Sequence, residues 1–132
     1  MKKRLLPLLL LLALLSGCGG KVTAESSSDF GSDLYSDEEI LAAMEVTKDY
    51  FRQNFDGCTL TELTYGGDEK SRDFAEWADR HDADEVIVLL SSFDVDGSGG
   101  DGSLNPNSTY TNWNWILVRE NGGSWRHVDH GY

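Results

Sequence analysis

The chain has 132 residues, of which 39% are hydrophobic, so once a leader is set aside it is long enough for one small domain with its own core. With 11 Lys and Arg against 23 Asp and Glu its formal net charge is −12, which repels phosphate backbones and excludes nucleic acid and a basic patch for anionic lipid. Two cysteines, Cys18 and Cys58, are too few for a disulfide scaffold.

The first element is a leader. Lys2, Lys3 and Arg4 precede a run from Leu5 to Leu15 in which only Pro7 and Ala13 are not leucine. That run is too short to cross a bilayer, which takes about 20 apolar residues, and has the length of a signal h-region. Ser16 and Gly17 then lead into Cys18, a small-small-Cys ending in which the Cys thiol accepts a diacylglyceryl group before cleavage. Residues 1–17 are therefore expected to be a signal peptide. Cys18 becomes the lipidated first residue of the mature protein, held on the extracytoplasmic face of the cell membrane. Burying acyl chains at about 0.8 kcal/mol per methylene makes two or three chains a lasting anchor. Cleavage removes three of the 11 cations and takes the net charge from −12 to −15. With Cys18 alkylated, Cys58 has no intramolecular partner and is expected to be a small buried residue.

From residue 18 to residue 33 the composition of Gly, Ser, Asp and Glu predicts a flexible tether, followed by one domain over 34–132. Ser36-Asp37-Glu38-Glu39 has the pattern of a capping box and predicts a helix start. Ile40, Met44, Thr47, Phe51 and Phe55 recur at helical steps as a core face, and Gly57 can supply a left-handed end. Thr59 to Tyr65 alternates as a half-exposed strand. Phe74, Trp77, Ala78 and His81 predict a shorter helix over about 71–81, with His81 at its end against the negative dipole.

Glu85 to Phe93 is a continuous apolar run and predicts a central strand covered on both faces. Thr109 to Glu120 predicts another strand, with Trp113, Trp115 and Leu117 on one side and Ile116 and Val118 on the other. Asn121-Gly122-Gly123 turns it into a final strand. The expected fold is α+β: a long and a short helix against one face of a curved, cone-like antiparallel sheet of about four strands.

The stretch Tyr35 to Tyr65, with Glu39-Ile40, Tyr50-Phe51 and Asn54-Phe55-Asp56-Gly57-Cys58-Thr59-Leu60, carries a resemblance. So does the stretch from Asp84 through Asn105-Pro106-Asn107-Ser108-Thr109-Tyr110-Thr111-Asn112-Trp113 to His130-Gly131-Tyr132. Both resemble a family of small Gram-positive lipoproteins of unknown function, similar to the nuclear transport factor two-like, or cystatin-like, superfamily. The resemblance implies a sheet curled around the long helix as a cone. It implies no catalytic residue, because that fold hosts enzymes, binding modules and dimers alike.

Three groups of residues carry candidate chemistry. Asp94, Asp96, Ser98 and Asp101 lie in a Gly-rich stretch; the first three match positions one, three and five of a calcium loop and Gly99 matches position six. Asn105 replaces the bidentate Glu and Asp101 stands where an apolar residue belongs. Calcium is therefore the one cofactor considered, against a plain solvated hairpin loop. His127, Asp129 and His130 are the only His and carboxylate cluster. Strand alternation puts His127 and Asp129 on one face and His130 on the other, too few for zinc but enough for an Asp-His acid-base pair. Tyr110, Trp113, Trp115, Trp125 and Tyr132 on two neighbouring strands either fill the core or form a platform for carbohydrate or peptide. The combined expectation is a membrane-anchored, non-catalytic binding or accessory domain for a protein or small-molecule ligand, with homodimerisation open. A small pocket enzyme and a calcium-responsive module are the alternatives.

Overall fold

The computed structural model describes residues 19–25 and 29–132. Its longest helix, α1 (Asp37–Asn54), starts where the capping pattern puts it: Ser36 Oγ accepts from the Glu39 amide at 3.2 Å and Glu39 Oε1 accepts from the Ser36 amide at 2.8 Å. Asp37, Glu38 and Glu39 in the first turn suit the positive end of the helix dipole. Ile40, Met44, Thr47 and Phe51 are buried along one stripe, as their spacing predicts, and Phe55 joins them just past the last turn. Fully burying an aliphatic or aromatic side chain is worth about 1.5–3 kcal/mol, so this stripe rather than helix propensity holds α1 in place.

The sheet has five strands in chain order: β1 (Lys21–Val22), β2 (Cys58–Tyr65), β3 (Glu85–Val95), β4 (Thr109–Arg119) and β5 (Arg126–Gly131). β2 to β5 pair antiparallel, but β1 runs parallel to β2, with Lys21 opposite Thr59 and Val22 opposite Leu60. The sheet is thus mixed and open, where four antiparallel strands in a cone were expected. The fifth strand comes from the stretch expected to be free tether. Val22 and Phe30 pack on the core, and Ser32 and the Asp33 amide bond the Asp68 carboxylate at 2.5 and 2.8 Å. Composition misled here because two apolar side chains and a few backbone bonds suffice to fix a polar segment.

The alternation of β2 also breaks. Cys58 and Leu60 face the core, and then Leu63 and Tyr65 do, because a bulge between Leu60 and Glu62 shifts the register by one residue. From Trp113 onward β4 alternates, Trp115 and Leu117 facing α1 and Ile116 and Val118 the reverse side, but a bulge at Thr111–Asn112 returns Tyr110 to the same face as Trp113. That side is covered by two short helices, α2 (Asp68–Asp73) and α3 (Glu76–Arg80), rather than by one helix over 71–81. Ala78 packs there with Val86, Val88, Ile116 and Val118. The helices therefore flank both faces, not one, and β3 is the doubly covered strand its apolar run requires. His81 follows α3, its ring parallel to that of Trp77 at 5.8 Å.

At the N-terminal end of α1 the helix is joined to the sheet through Arg119. Its guanidinium, 6% exposed, bonds the second oxygen of Glu39 and reaches Glu85 Oε1 at 3.0 Å. It lies over the Trp125 ring at 4.3 Å, and the Trp125 indole donates to the Glu39 carbonyl at 3.0 Å. Removing Arg119 leaves the part-exposed carboxylates of Glu39 and Glu85 without their shared cation and uncovers the Trp125 ring, so Arg119→Ala should cost about 1–3 kcal/mol. Glu39→Gln, which can still cap through its amide oxygen, should cost much less. Urea denaturation of both variants measures the difference; since both keep the cap, equal losses would mean that the Glu39–Arg119 pair alone, and not the Glu85 and Trp125 contacts of Arg119, carries the joint.

Candidate functional site

The opposite end of α1 builds the site. Tyr50 near the end of α1 and Phe55 just past it face β4 and β5, and Asn54 closes the last turn, Nδ2 donating to the Tyr50 carbonyl at 3.0 Å. β4 contributes Trp113 and β5 contributes His130. The long β3–β4 loop folds back so that Gly100, Asp101, Ser103 and Leu104 close the far wall. Between these walls is an open cleft of about 300 Å³. A second, larger and shallower depression of about 550 Å³ lies by Arg119 and Trp125, whose side chains are already engaged with Glu39.

β5 carries the histidines, and a bulge sets their direction. Leu117 stands opposite His127 but Ile116 stands opposite Asp129, so Val128 is the extra residue and packs on the reverse face. His127 and His130 consequently both face α1, where alternation had separated them, and Asp129 is exposed. Their rings meet, His127 Nε2 to His130 Nδ1, at 3.1 Å, and His127 stacks on Tyr50 with centroids 4.0 Å apart. Asp129 is not an acid-base partner of either ring: its Oδ1 accepts from the His130 amide at 2.8 Å. Burial, with the neighbouring His130 adding to it, pushes His127 down to about 4, and burial lowers His130 too, so both are neutral at pH 7.

The aromatic residues separate into three roles. Trp115 is fully buried, its indole donating to Ser91 Oγ at 2.7 Å, and Trp125 is buried in the Arg119 joint, so neither is a platform. Tyr110, Trp113 and the exposed Tyr132 instead cluster at the mouth of the cleft: the Trp113 ring lies 5.4 Å from Tyr110 and 5.2 Å from Tyr132. The Trp113 indole N–H is buried without a protein acceptor. Tyr50, Asn54 and Phe55 escaped the sequence reading of the site because they share the periodicity of the helix core. The one signal that marked Tyr50 out was a polar-tipped ring on the flank of an apolar stripe.

The loop acids serve the loop itself. Asp94 Oδ1 accepts from Thr109 Oγ1 at 2.7 Å, while Asp96 and Asp101 accept from the amides of Ser98 and Ser103, both at 2.9 Å. These serine bonds, side chain first and then amide, hold both carboxyls below the usual range. Among the described residues no three His, Cys, Asp or Glu side chains converge on one point. Cys58 is buried at the start of β2, and desolvation pushes its thiol up to about 11, which leaves no thiolate at neutral pH. Cys18 and the leader lie outside the described residues. No described helix is long and apolar enough to cross a membrane.

The histidine pair makes stability depend on pH in a defined direction. Because the folded pKa values lie below the usual 6.5, the unfolded chain takes up protons first as pH falls, so their contribution is intact above 6.5 and is lost toward about 4. The carboxyls held low, Glu39 and Asp68, add their loss only below the ordinary carboxylate values of 4.5 and 3.8. The thermal midpoint should therefore fall between pH 6.5 and 4.5, and His127→Phe should flatten that fall; an unchanged slope in the variant would assign it to other groups.

The chain matches no family model, no curated protein and no solved structure.

Proposed function

We propose that the protein is a lipid-anchored, extracytoplasmic and non-catalytic binding domain whose ligand occupies the cleft between Tyr50, Trp113 and His130. The observation that carries this reading is the cleft itself, about 300 Å³ and walled by aromatic rings on one side and by loop hydroxyl, carboxylate and backbone groups on the other. Rings take the flat apolar face of a small molecule, and the loop supplies acceptors for its hydroxyl or amide groups. That combination suits a neutral sugar or a short neutral peptide, while the charge of the chain disfavours polyanions. Anchoring is supported by the leader and the Ser16-Gly17-Cys18 ending, and by the resemblance to small lipoproteins carried by Tyr35–Tyr65 and Asp84–Tyr132.

A small pocket enzyme is the second reading, favoured by a neutral imidazole, His130, in the cleft wall and joined to a second ring. It lacks a carboxylate on either ring, which a triad-like base uses for orientation.

Tryptophan fluorescence of the membrane-extracted protein should change on titration with neutral oligosaccharides or short neutral peptides. Trp113→Ala should weaken that binding about tenfold, the loss of about 1.4 kcal/mol. No response to either class at millimolar concentration would sink the binding reading. Separately, Cys18→Ser should leave the protein unprocessed or release it to the soluble fraction, and a variant still processed and retained would overturn the anchor.

A further inference from the structure

The residues that follow Cys18 are built into the fold without slack. The Gly20 amide donates to the Arg52 carbonyl at 2.9 Å, at the last turn of α1. A Cβ on Gly19 would lie 2.0 Å from the Arg52 carbonyl oxygen and one on Gly20 2.5 Å from that of Phe51, so the backbones approach as only glycine permits. Lys21 and Val22 are then locked beside Thr59 and Leu60. Cys18 is bonded directly to Gly19, and consecutive Cα atoms are about 3.8 Å apart. Any lipid on Cys18 therefore starts within about one residue of the C-terminal end of α1.

That is the end that carries the cleft. Asn54 and Phe55 wall it, and the Gly100–Leu104 loop closes it. The Arg119 joint sits at the other end of an 18-residue helix, about 27 Å away. The chemistry of this end also restricts the partner. Asp56, Asp96 and Asp101 are all exposed, against Lys21 and an Arg52 already paired with Asp49 at 3.0 Å, so a phosphate headgroup is repelled. The Tyr132 ring, 78% exposed beside Tyr110 and Trp113, is of the amphipathic kind that settles at headgroup level.

From this placement, and resting on the lipid-anchor reading above, we propose that the anchor holds the cleft end of the domain against the bilayer, and that the cleft takes an uncharged glycosyl headgroup carried by the membrane. The lipid then does more than retain the protein: it sets the orientation and brings the binding site to the plane in which the ligand lies.

The test uses the full lipidated chain with Cys58→Ala and a single fluorophore, at Gln53→Cys beside the cleft end or at Ser124→Cys beside the joint, in phosphatidylcholine vesicles carrying a headgroup nitroxide quencher. Quenching should be strong at position 53 and near absent at 124. A flexible Gly/Ser insertion of about 25 residues between Cys18 and Gly19, whose r.m.s. reach is about 27 Å, should bring the two together while the protein still floats with the vesicles. Floating protein quenched equally at both positions without the insertion overturns the orientation alone; protein that does not float overturns the anchor reading and this proposal with it. Adding glycosyl diacylglycerol to the vesicles should change the tryptophan emission of the parent chain and not of Trp113→Ala. An unchanged parent spectrum, or the same change in both, overturns the headgroup assignment.

Discussion

The carboxylate of Glu39 makes three separate parts of the chain into one body. One oxygen returns to the Ser36 amide and finishes the helix start; the other takes Arg119 from the end of β4. The carbonyl of the same residue takes the Trp125 indole from the β4–β5 connection. The Ser36 amide first, and Arg119 second, hold the Glu39 carboxyl below its ordinary value, so it stays ionised whenever the joint is made. Tyr35 completes the ring of contacts, its hydroxyl donating to the Val86 carbonyl at 2.6 Å and its ring edge-on to Trp125. Burial pushes that hydroxyl up to about 12, which keeps it a donor at any ordinary pH. With helix, central strand and hairpin fixed at one end, α1 can hold its aromatic flank at a defined height over the far end of the sheet.

Elements set by local chemistry were legible in the sequence. The capping box needs only four residues, the helical stripe of Ile40 to Phe55 needs only a period, and the apolar run of β3 needs only its length and β-branching. Register was not legible, since each deviation is a single inserted residue in a strand: near Thr61 in β2, near Asn112 in β4 and at Val128 in β5. A bulge is a compromise between two strands and has no signature in either one alone. The break between α2 and α3 was missed for a related reason, because Phe74, Trp77 and Ala78 keep helical spacing across it.

The site suffered most from this. Period-two reasoning put His127 beside Asp129 as an alternative acid-base pair, and the bulge instead brings His127 to His130, leaving two neutral rings against Tyr50. The aromatic residues show the opposite case: their number on β4 was informative, but composition could not tell Trp115, with its indole satisfied by Ser91, from Trp113, with its indole unsatisfied at the cleft.

The cleft itself follows from a mismatch of lengths. Strands β3 and β4 have 11 residues each, about 36 Å at the usual rise, while the 18 residues of α1 cover about 27 Å. The Glu39–Arg119 joint aligns the two at one end, so the excess of sheet must appear at the other, where Tyr110 and Trp113 run past the last turn of the helix. An uncovered aromatic strand end is costly in water, and the long β3–β4 loop folds back over it, Leu104 packing on the core and the Tyr110 hydroxyl accepting from the Asn105 amide. The loop is tied by its own aspartates and glycines and does not fill the space that the helix leaves. The cleft is thus the remainder of fixing a shorter helix to a longer sheet at one end only, and Gly19 and Gly20 dock on that same last turn.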